Sequence, residues 1–354
     1  MSSETQIPAP VQFGMHRIGA DEEVFVIAEA GVNHDGDLGV AHELIDLAAE
    51  AGANAVKFQT FRPSALVSAS AATTPYQKNA GFAQYQSEML AALTLPDSAW
   101  TELHAHCTER SITFLSSPFD LESAQLLAGV GVPGLKIGSG ELTNTPFLRA
   151  VSDLGAPLIV STGMASLEEI ERALEATAAA PSTVLLHCVS AYPAPAAEAN
   201  LAAIPAMAAQ FGVQVGWSDH TLGAVASIAA VALGATLLEK HITTDKSRTG
   251  PDHAASLDPG EFHDYVAAIR ATSASLGDGF KRRMPSEEEN ARLVRRSLHA
   301  AQPIAAGAVI TEEDLVILRP EGGLAPSEVI VGAVAARAVA AGSPITADDL
   351  QRDA

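Results

Sequence analysis

The 354-residue chain has few cysteines, few cations and no long apolar run. Its two cysteines, Cys107 and Cys188, are too few for a disulfide framework and suit a reducing compartment. The 21 Lys and Arg residues stand against 42 Asp and Glu residues, a net charge of −21, which argues against partners such as nucleic acid or an anionic membrane. No apolar run reaches membrane-spanning length, and the N-terminus lacks the basic start and apolar centre of a signal peptide. The composition therefore predicts a cytoplasmic, globular protein.

The chain does contain a regular alternation of apolar, β-branched runs and amphipathic helical stretches. The runs are Val24–Ala30, Ala55–Phe61, Ile112–Phe119, Gly134–Gly140, Pro157–Gly163, Thr183–Ser190, Val213–Asp219 and Thr236–Ile242. Near-continuous apolar strands that alternate with helices are typical of a parallel sheet covered by helices. Eight such units predict an α/β fold, a closed (β/α)8 TIM barrel, over residues 1–285. An open, doubly wound sheet is the alternative, but no Gly-x-Gly-x-x-Gly follows the first strand.

The strand–helix rhythm ends near Gly279, where a charged stretch begins. Residues 286–294 are accordingly assigned to a linker. Beyond it, the pattern Ala-Ala-Gly, Ile-Thr, Asp-Leu at 305–315 returns at 340–350. Each threonine of this repeat, Thr311 and Thr346, is expected to cap a short acidic helical start. Residues 295–354 are therefore predicted to form a small, pseudo-symmetric, β-rich domain that serves as a lid or binding module.

Polar side chains stand at the C-terminal end of nearly every predicted strand. They are Glu29, Lys57, Gln59, Ser116, Ser117, Ser139, Glu141, Ser161, Thr162, Ser190, Ser218, His220, Glu239 and His241. Barrel enzymes build their active sites at this end, because there the loops that follow the strands converge. Structural polar residues would instead be scattered along the strands. The pattern predicts an active site at the C-terminal ends of the strands.

Two histidines in this set come from neighbouring strands of a closed barrel. His220 follows the seventh strand and His241 ends the eighth. Two imidazoles that face one point can bind a divalent cation, with oxygen ligands or water completing the shell. A lone histidine would more often be structural, but the pair favours a metal that acts on a carbonyl group.

Two lysines, Lys57 and Lys136, lie on strands that are otherwise apolar. A lysine inside a barrel is costly without an anionic partner. Beside Ser139 and Ser161, the two lysines indicate a pocket for a small, doubly anionic ligand. Two alternatives remain open at this point. The lysines could form buried salt bridges with the strand-end glutamates, or one of them could form a Schiff base with a carbonyl substrate.

Three further segments carry candidate groups. Glu29 could move a proton or position a hydroxyl group, and Asp252, in a loop after the eighth strand, could contact a polyol. Cys188 and the preceding His187 are not a nucleophile and its base, because consecutive side chains of a strand point to opposite faces. The long excursion from Arg62 to Pro96 exceeds ordinary loops of a barrel and is expected to be a functional flap.

In their order, the motifs of the barrel resemble those of the sialic acid synthase family. The motifs are IAEAGVNHDG, AVKFQTF, FLSSPFD, KIGSGE, STGM, HCVSAYP, GWSDHTLG and LEKHITTDKSRTGPDH. The C-terminal repeat is similar to the antifreeze-like (SAF) domain of that family, so the resemblance covers the whole chain. It implies an N-acetylneuraminate synthase-type transferase, which condenses phosphoenolpyruvate with N-acetylmannosamine or a related acetamido sugar. In that reaction, C3 of the enol attacks the open-chain aldehyde, water adds at C2, and phosphate leaves by C–O cleavage to give a nonulosonic acid.

The resemblance also implies a role for each matching residue. His220 and His241 would hold Mn²⁺, or Mg²⁺, with Glu29 and His241 as the catalytic groups. The phosphoenolpyruvate ligands would be Lys57, Lys136, Ser139, Ser161 and Ser218, and the sugar contacts would be Gln59, Asn79, Glu141, Ser190, Tyr192 and Asp252. Arg319, in the small domain, would reach the sugar in the barrel of another subunit, which implies a domain-swapped homodimer.

Ser190 departs from one pattern of this family. Members specific for N-acetylmannosamine can carry asparagine at this place, and serine is shorter and leaves space. The chain is in this respect similar to synthases of legionaminic or pseudaminic acid and to spore-coat polysaccharide relatives. Two other functions remain open: a Schiff-base aldolase or lyase on the same barrel, and a non-catalytic carbohydrate-binding or ice-binding protein. The former leaves the histidines without a role, and the latter makes the polar strand ends coincidental.

Overall fold

The computed structural model of the chain describes residues 8–68, 70–72 and 85–351. The chain divides into two compact units, with the boundary between Gly277 and Asp278. Part of the predicted flap, including Asn79, lies outside the described residues. None of the described helices is long and apolar enough to cross a membrane.

The first unit contains a short antiparallel hairpin followed by eight parallel strands. The hairpin strands are β1 (Val11–Phe13) and β2 (His16–Ile18). The parallel strands are β3 (Phe25–Gly31), β4 (Ala55–Thr60), β5 (Thr113–Pro118), β6 (Leu135–Ile137), β7 (Leu158–Ser161), β8 (Thr183–Cys188), β9 (Val215–Asp219) and β10 (Leu237–His241). Each parallel strand falls on one of the eight predicted apolar runs.

The eight parallel strands close into a barrel. Their order is β5-β4-β3-β10-β9-β8-β7-β6, so the first and the last of them, β3 and β10, are hydrogen-bonded neighbours. The strands at the two ends of this order, β5 and β6, pack against each other. The predicted TIM barrel is confirmed.

Helices cover the outside of this barrel, except for two that lie in the long excursion after β4. In chain order, the helices are α1 (Leu38–Glu50), α2 (Pro63–Leu66), α3 (Gln86–Ala92), α4 (Asp97–Glu109), α5 (Leu121–Val130), α6 (Thr145–Ser152), α7 (Leu167–Ala176), α8 (Ala203–Phe211), α9 (Val225–Ala232) and α10 (Pro259–Leu276), with 3-10 turns at Ser139–Glu141, Ala196–Glu198 and His253–Ala255. The two in the excursion are α2 and α3, and α3 contributes to the cavity described below. Polar side chains cap several N-termini: Asp120 accepts from the first turn of α5, and Ser166 and Asp258 form capping boxes on α7 and α10. The apolar faces of the helices and the outward side chains of the strands form one continuous core.

The hairpin fills the N-terminal end of the barrel, a feature that the sequence analysis did not predict. Phe13 and Ile18 are fully buried and belong to one apolar cluster with Phe25 and Ile27, the first inward residues of β3. Gly14 takes a positive φ of 60°, as the two-residue turn of a tight hairpin requires. The barrel therefore has an apolar, closed end below the strands.

The second unit contains the helix α11 (Glu288–Val294), the antiparallel strands β11 (Ser297–Ala300) and β12 (Leu315–Leu318), and 3-10 turns at Pro285–Glu287, Glu312–Asp314 and Ala347–Asp349. Residues 286–294, assigned to a linker from the sequence, thus include α11. In both repeats the threonine donates its hydroxyl proton to the aspartate three residues later, Thr311 to Asp314 at 2.8 Å and Thr346 to Asp349 at 2.7 Å. The expected helical starts are therefore single 3-10 turns, with Thr311 and Thr346 at the N-cap and the aspartates completing capping boxes. The predicted small β-rich SAF domain is confirmed.

Candidate active site

A cavity of about 400 Å³ opens at the C-terminal ends of the barrel strands. It brings together the predicted residues Glu29, Lys57, Gln59, Lys136, Ser139, Ser161, Ser190, Tyr192, Ser218, His220, His241 and Asp252. Glu141 is not part of the cavity lining, and its carboxylate accepts a hydrogen bond of 2.8 Å from Asn144. Arg319 follows β12 in the second unit. Most of the predicted site residues thus share one cavity because they end the strands of one barrel.

A chain of alternating charges lies at the base of the cavity. Lys57 Nζ is 2.6 Å from Glu29 Oε2 and 3.7 Å from Glu239 Oε2, and Lys136 Nζ is 3.5 Å from Glu239 Oε1. All four side chains are buried. The salt bridges that the sequence analysis kept as an alternative are therefore present, and they line the cavity rather than fill a closed core.

The two glutamates of this chain differ in their pKa values. Burial raises the pKa of Glu29 to about 7, although the neighbouring Lys57 opposes this change. Burial acts in the same direction on Glu239, but Lys136 and Lys57, together with a hydrogen bond from Ser218, lower its pKa to about 2. Near neutral pH, Glu239 is thus the permanent counter-ion of the lysines, and Glu29 can gain or lose a proton.

The two lysines are also unlike each other. Burial lowers the pKa of Lys136 despite the attraction of Glu239. For Lys57, burial acts in the same direction, but the attraction of Glu239 and Glu29 outweighs it, and the pKa is raised. Lys57 also donates a hydrogen bond of 3.0 Å to Ser117. Lys57 is therefore a strongly paired cation, whereas the charge of Lys136 is only partly compensated by Glu239.

His220 and His241 lie side by side at the wall of the cavity, with ring centroids 5.6 Å apart. The Nδ1 atom of His220 is 2.7 Å from the carbonyl oxygen of Val189, so Nε2, with Ser218 Oγ 3.5 Å away, is the nitrogen that could bind another ligand. The Nδ1 atom of His241 is buried and makes no hydrogen bond to a described residue, and Asp252 Oδ2 lies 3.9 Å from it. Tyr192 packs against both rings, at centroid distances of 4.2 and 5.8 Å.

These two histidines fit a divalent cation. Burial lowers the pKa of both imidazoles, so both are neutral near pH 7, the form that binds metals. The hydrogen bond of His220 to a backbone carbonyl orients its ring, as is common for metal ligands. Within residues 8–68, 70–72 and 85–351, no group of three or more His, Cys, Asp or Glu side chains is arranged to hold a metal ion. Further ligands would have to come from a substrate or from water.

Gly31 allows several polar groups to converge above β3. Its φ of 54° follows an irregularity in the pairing of β3 with β4. A Cβ atom at this position would lie 3.2 Å from Glu29 Oε1, 3.4 Å from Gln59 Nε2 and 3.7 Å from Asp252 Oδ2. Burial raises the pKa of Asp252 to about 6. The glycine thus leaves room for two carboxyl groups and an amide around one point of the cavity.

The opposite wall of the cavity is lined by small polar groups. Gly163 donates its backbone N–H to Ser139 Oγ at 3.0 Å, and Ser139 Oγ is 3.2 Å from Cys188 Sγ. In the part of the chain that the structure describes, the buried Oγ of Ser161 has no hydrogen-bond partner. His187 turns away from the cavity and contacts the carbonyl oxygen of Ala199, so it is not a base for Cys188, as expected from the strand alternation.

The sequence analysis did not assign two parts of this cavity to the site. Glu239 was recognised only as a strand end and as an alternative partner of the lysines, although it contacts both of them. An apolar wall of Val32, Met89, Leu90, Leu93 and Phe119 was not assigned, although the expected flap from Arg62 to Pro96 contains three of these residues. Three of these residues belong to α3 or follow it directly, and apolar residues of a flap carry no signal that separates a binding surface from a small core.

A parallel barrel whose C-terminal cavity holds buried acids, bases and paired histidines has the organisation of a TIM-barrel enzyme. Comparison with known proteins identifies the family. The NeuB family matches residues 44–281, and the SAF domain matches residues 295–351. The chain belongs to the NeuB family.

Several relatives of the chain are synthases of sialic-type acids. The N,N'-diacetyllegionaminic acid synthase of Campylobacter jejuni is 44% identical over 86% of this chain and 92% of its own length. The enzyme of the same name from Legionella pneumophila is 43% identical over 94% of this chain and 96% of its own length. Among solved structures, the N-acetylneuraminic acid synthetase of Leptospira borgpetersenii, in complex with citrate, matches with a TM-score of 0.71 and 33% identity, over 80% of this chain and 96% of that chain.

Proposed function

We propose that the chain condenses phosphoenolpyruvate with the open-chain form of an acetamido sugar, giving a nonulosonic acid and phosphate. The observation that carries this proposal is the convergence of two buried lysines, two buried glutamates and two neutral imidazoles in one barrel cavity. An anion-binding group, a proton donor or acceptor and a metal-binding pair are the three elements that this reaction needs. The names of the related synthases agree with the reaction class.

Phosphoenolpyruvate would bind to Lys57 and Lys136, with the hydroxyl groups of Ser139, Ser161 and Ser218 as hydrogen-bond donors. The buried, unpaired Oγ of Ser161 supports a ligand at this place. An anion placed beside Glu29 and Glu239 would be repelled if both were charged. The pKa of Glu29, about 7, allows it to take up a proton as the anion binds, which reduces the repulsion.

His220 and His241 would hold Mn²⁺ or Mg²⁺, through nitrogen atoms that burial keeps unprotonated. When bound, the cation supplies positive charge that polarises the carbonyl oxygen of the acceptor. Tyr192 packs against both rings and keeps their orientation. Asp252 and Gln59, next to the pair and to Glu29, would position the hydroxyl groups of the sugar.

Glu29 would handle the proton of the reaction. C3 of phosphoenolpyruvate forms the new bond to the aldehyde carbon, whose oxygen takes up a proton. Water then adds at C2, and the C2–O bond to phosphate breaks, so one phosphoenolpyruvate, one sugar and one water give one nonulosonic acid and one phosphate. A carboxyl group with a pKa of about 7 exchanges protons readily near neutral pH, which supports Glu29 in this role.

The acceptor sugar would be uncharged and partly deoxygenated. Of the described residues around the cavity, Lys57 and Lys136 are the only lysines or arginines, and both are assigned to phosphoenolpyruvate. The partner's Arg319, proposed below, would add one positive charge, which does not balance the double charge of a phosphorylated acceptor. The apolar wall with Leu90 and Phe119, and the short side chain of Ser190, favour a sugar with a methyl group and a second acetamido group.

The experiment is a phosphate-release assay with phosphoenolpyruvate, Mn²⁺ and a panel of acceptors. The panel contains N-acetylmannosamine, its 6-phosphate and 2,4-diacetamido-2,4,6-trideoxy sugars, and we expect release with a trideoxy sugar. EDTA should abolish release and added Mn²⁺ should restore it, whereas His241→Ala should stay inactive at the same Mn²⁺ concentration. Full activity in EDTA would remove the metal from the proposal, and failure to bind phosphoenolpyruvate would overturn it.

One observation favours a second candidate, a Schiff-base lyase. Burial lowers the pKa of Lys136, and a desolvated lysine is what a Schiff base needs. Treatment with pyruvate and borohydride, followed by mass spectrometry, separates the two reactions. Covalent labelling of Lys136 would support the lyase, and an unlabelled chain that still releases phosphate would exclude it.

We further propose that the chain acts as a homodimer in which Arg319 serves the cavity of the partner. The support for this is the place of Arg319 after β12, in a unit separate from the barrel. Lys136→Met and Arg319→Ala should each be inactive alone. Mixed dimers, formed by co-expression, would contain one complete site, and random pairing should restore about a quarter of the wild-type activity. If Arg319 acted within its own chain, mixing would restore none.

A further inference from the structure

A hydrogen-bond network joins the loop after β3 to the loop after β10, and none of its side chains has a part in the proposed chemistry. Asp35 lies at its centre. Its Oδ1 atom is 3.0 Å from Nε2 of His253, and its Oδ2 atom is 2.9 Å from Nε and 2.8 Å from Nη2 of Arg248. The carboxylate of one loop thus bridges two cationic or donor groups of the other.

The loop after β3 also holds the loop after β10 through a second residue, Asn33. Asn33 donates from Nδ2 to the carbonyl oxygen of Ile242 at 2.8 Å and to Ser256 Oγ at 2.9 Å. Ser256 in turn donates to the backbone carbonyl of Asp252 at 2.7 Å. The two ends of the loop that carries Asp252 are therefore both attached to Asn33.

His253 follows Asp252 directly and is fully buried. Its Nδ1 atom is 2.7 Å from Thr243 Oγ1, so both ring nitrogens have partners. Its ring lies against Gly250, where a Cβ atom would be only 2.2 Å from the ring. The ring therefore has one position, and the neighbouring Asp252 backbone is fixed with it.

We propose that Asp35 is a positioning residue that holds Asp252 at the acceptor end of the cavity, through His253 and Arg248. This inference rests on the proposed function, in which Asp252 contacts the sugar. Asp35 itself does not line the cavity. It has a left-handed φ of 53°, an uncommon conformation for a residue other than glycine, and its two-sided bridge to the other loop offsets the cost.

A purely stabilising role is the alternative, and the chain contains a matched control for it. Asp46, on α1, forms the same kind of bridge: its Oδ1 atom is 2.8 Å from Nε2 of His106 and 3.0 Å from Nε of Arg110, both on or next to α4. This bridge lies between two outer helices, and Asp46 does not line the cavity. Asp46→Asn therefore removes a bridge of the same composition, although a more exposed one, without touching the loop of Asp252.

The experiment compares Asp35→Asn and Asp46→Asn in the full-length chain by two measurements. The first is hydrogen–deuterium exchange of the segment 243–256, which needs no substrate. The second is steady-state phosphate release, with KM measured separately for the acceptor and for phosphoenolpyruvate. For Asp35→Asn we expect faster exchange in 243–256 and an acceptor KM raised about tenfold, as for the loss of one well-placed contact. For the same variant, the KM for phosphoenolpyruvate should change less than twofold. For Asp46→Asn, the exchange of 243–256 and the acceptor KM should both equal those of the wild type.

The variant Arg248→Gln tests the network from its other side. It should give the same pattern in weaker form, because the contact between Asp35 and His253 remains. The double variant should be no worse than Asp35→Asn alone, because Asp35→Asn already removes the bridge to Arg248. Unchanged exchange in 243–256 would overturn the inference. So would faster exchange with an unchanged acceptor KM, or equal effects of Asp35→Asn and Asp46→Asn. If the wild type releases no phosphate with any acceptor, the proposed function fails, and the exchange measurement still decides whether Asp35 holds the loop.

Discussion

The two ends of the barrel are equally buried but chemically opposite. At the N-terminal end, inward side chains such as Phe25 and Ile27 join the hairpin residues Phe13 and Ile18 in one apolar cluster. Two residues further along β3, the next inward position is Glu29, paired with Lys57 of the neighbouring β4, which in turn lies near Glu239 of β10. The same strands thus stabilise the fold at one end and build the site at the other.

The energetic roles of the two ends differ for a physical reason. Each large apolar side chain at the closed end stabilises the fold by about 1.5–3 kcal/mol on burial. A buried ion pair is roughly neutral or even unfavourable against apolar side chains of similar volume, because desolvation offsets the attraction. The charges at the open end are therefore best explained by function, and the closed end by stability.

The largest expected effect comes from replacing charges at the open end. The double variant Lys136→Met/Glu239→Leu removes a buried pair, whose atoms are 3.5 Å apart, and leaves Lys57 paired with Glu29. Phosphate release should fall 100- to 1000-fold, as on loss of one preorganised transition-state contact. The midpoint of thermal unfolding should stay unchanged or rise. If this double variant kept its activity but had a much lower midpoint of thermal unfolding, the charges of the open end would serve stability rather than function.

The closed end should show the opposite pattern. Phe13 is fully buried, and its ring lies so close to Gly134 that a Cβ atom there would be 2.3 Å away. Phe13→Ala should lower the free energy of unfolding, measured by urea denaturation, by about 3 kcal/mol. The kinetic constants of the folded fraction should match those of the wild type. A changed KM for either substrate with normal stability would show that the two ends are coupled.

The smallest expected effect is a pH dependence of stability caused by a histidine at the open end. Burial lowers the pKa of His34, in the loop after β3, from 6.5 to about 4. Below pH 6.5 the unfolded chain binds a proton at this site and the folded chain does not, so the stability present at higher pH is lost as the pH falls. Between pH 7.5 and 5, this group lowers the free energy of unfolding by about 2 kcal/mol.

His34→Asn tests this linkage. Asparagine does not ionise, and its oxygen can replace Nδ1 of His34 as the acceptor for the N–H of Gly36. Urea denaturation at several pH values should show that the variant loses about 2 kcal/mol less than the wild type between pH 7.5 and 5. If the free energies of unfolding of the two proteins changed equally with pH, the lowered pKa of His34 would be contradicted.

Much of the barrel was predictable from the chain because each buried strand is a short, nearly continuous apolar run. All eight runs contain a strand. The hairpin was missed because its strands have only three residues each, although Val11, Phe13 and Ile18 alternate with polar residues around Gly14. The network around Asp35 was not predictable, since its partner Arg248 is 213 positions away in the sequence.

By itself, the sequence determined which residues end the strands and which face each side chain takes, since side chains alternate along a strand. On β10 this rule puts Glu239 and His241 inside and Lys240 outside, where it is 3.1 Å from Asp219. Only the tertiary structure decided which lysine meets which glutamate, and which of the two glutamates can hold a proton near neutral pH. Those properties depend on distances across the barrel and on burial, which the closure of the strands into a ring creates.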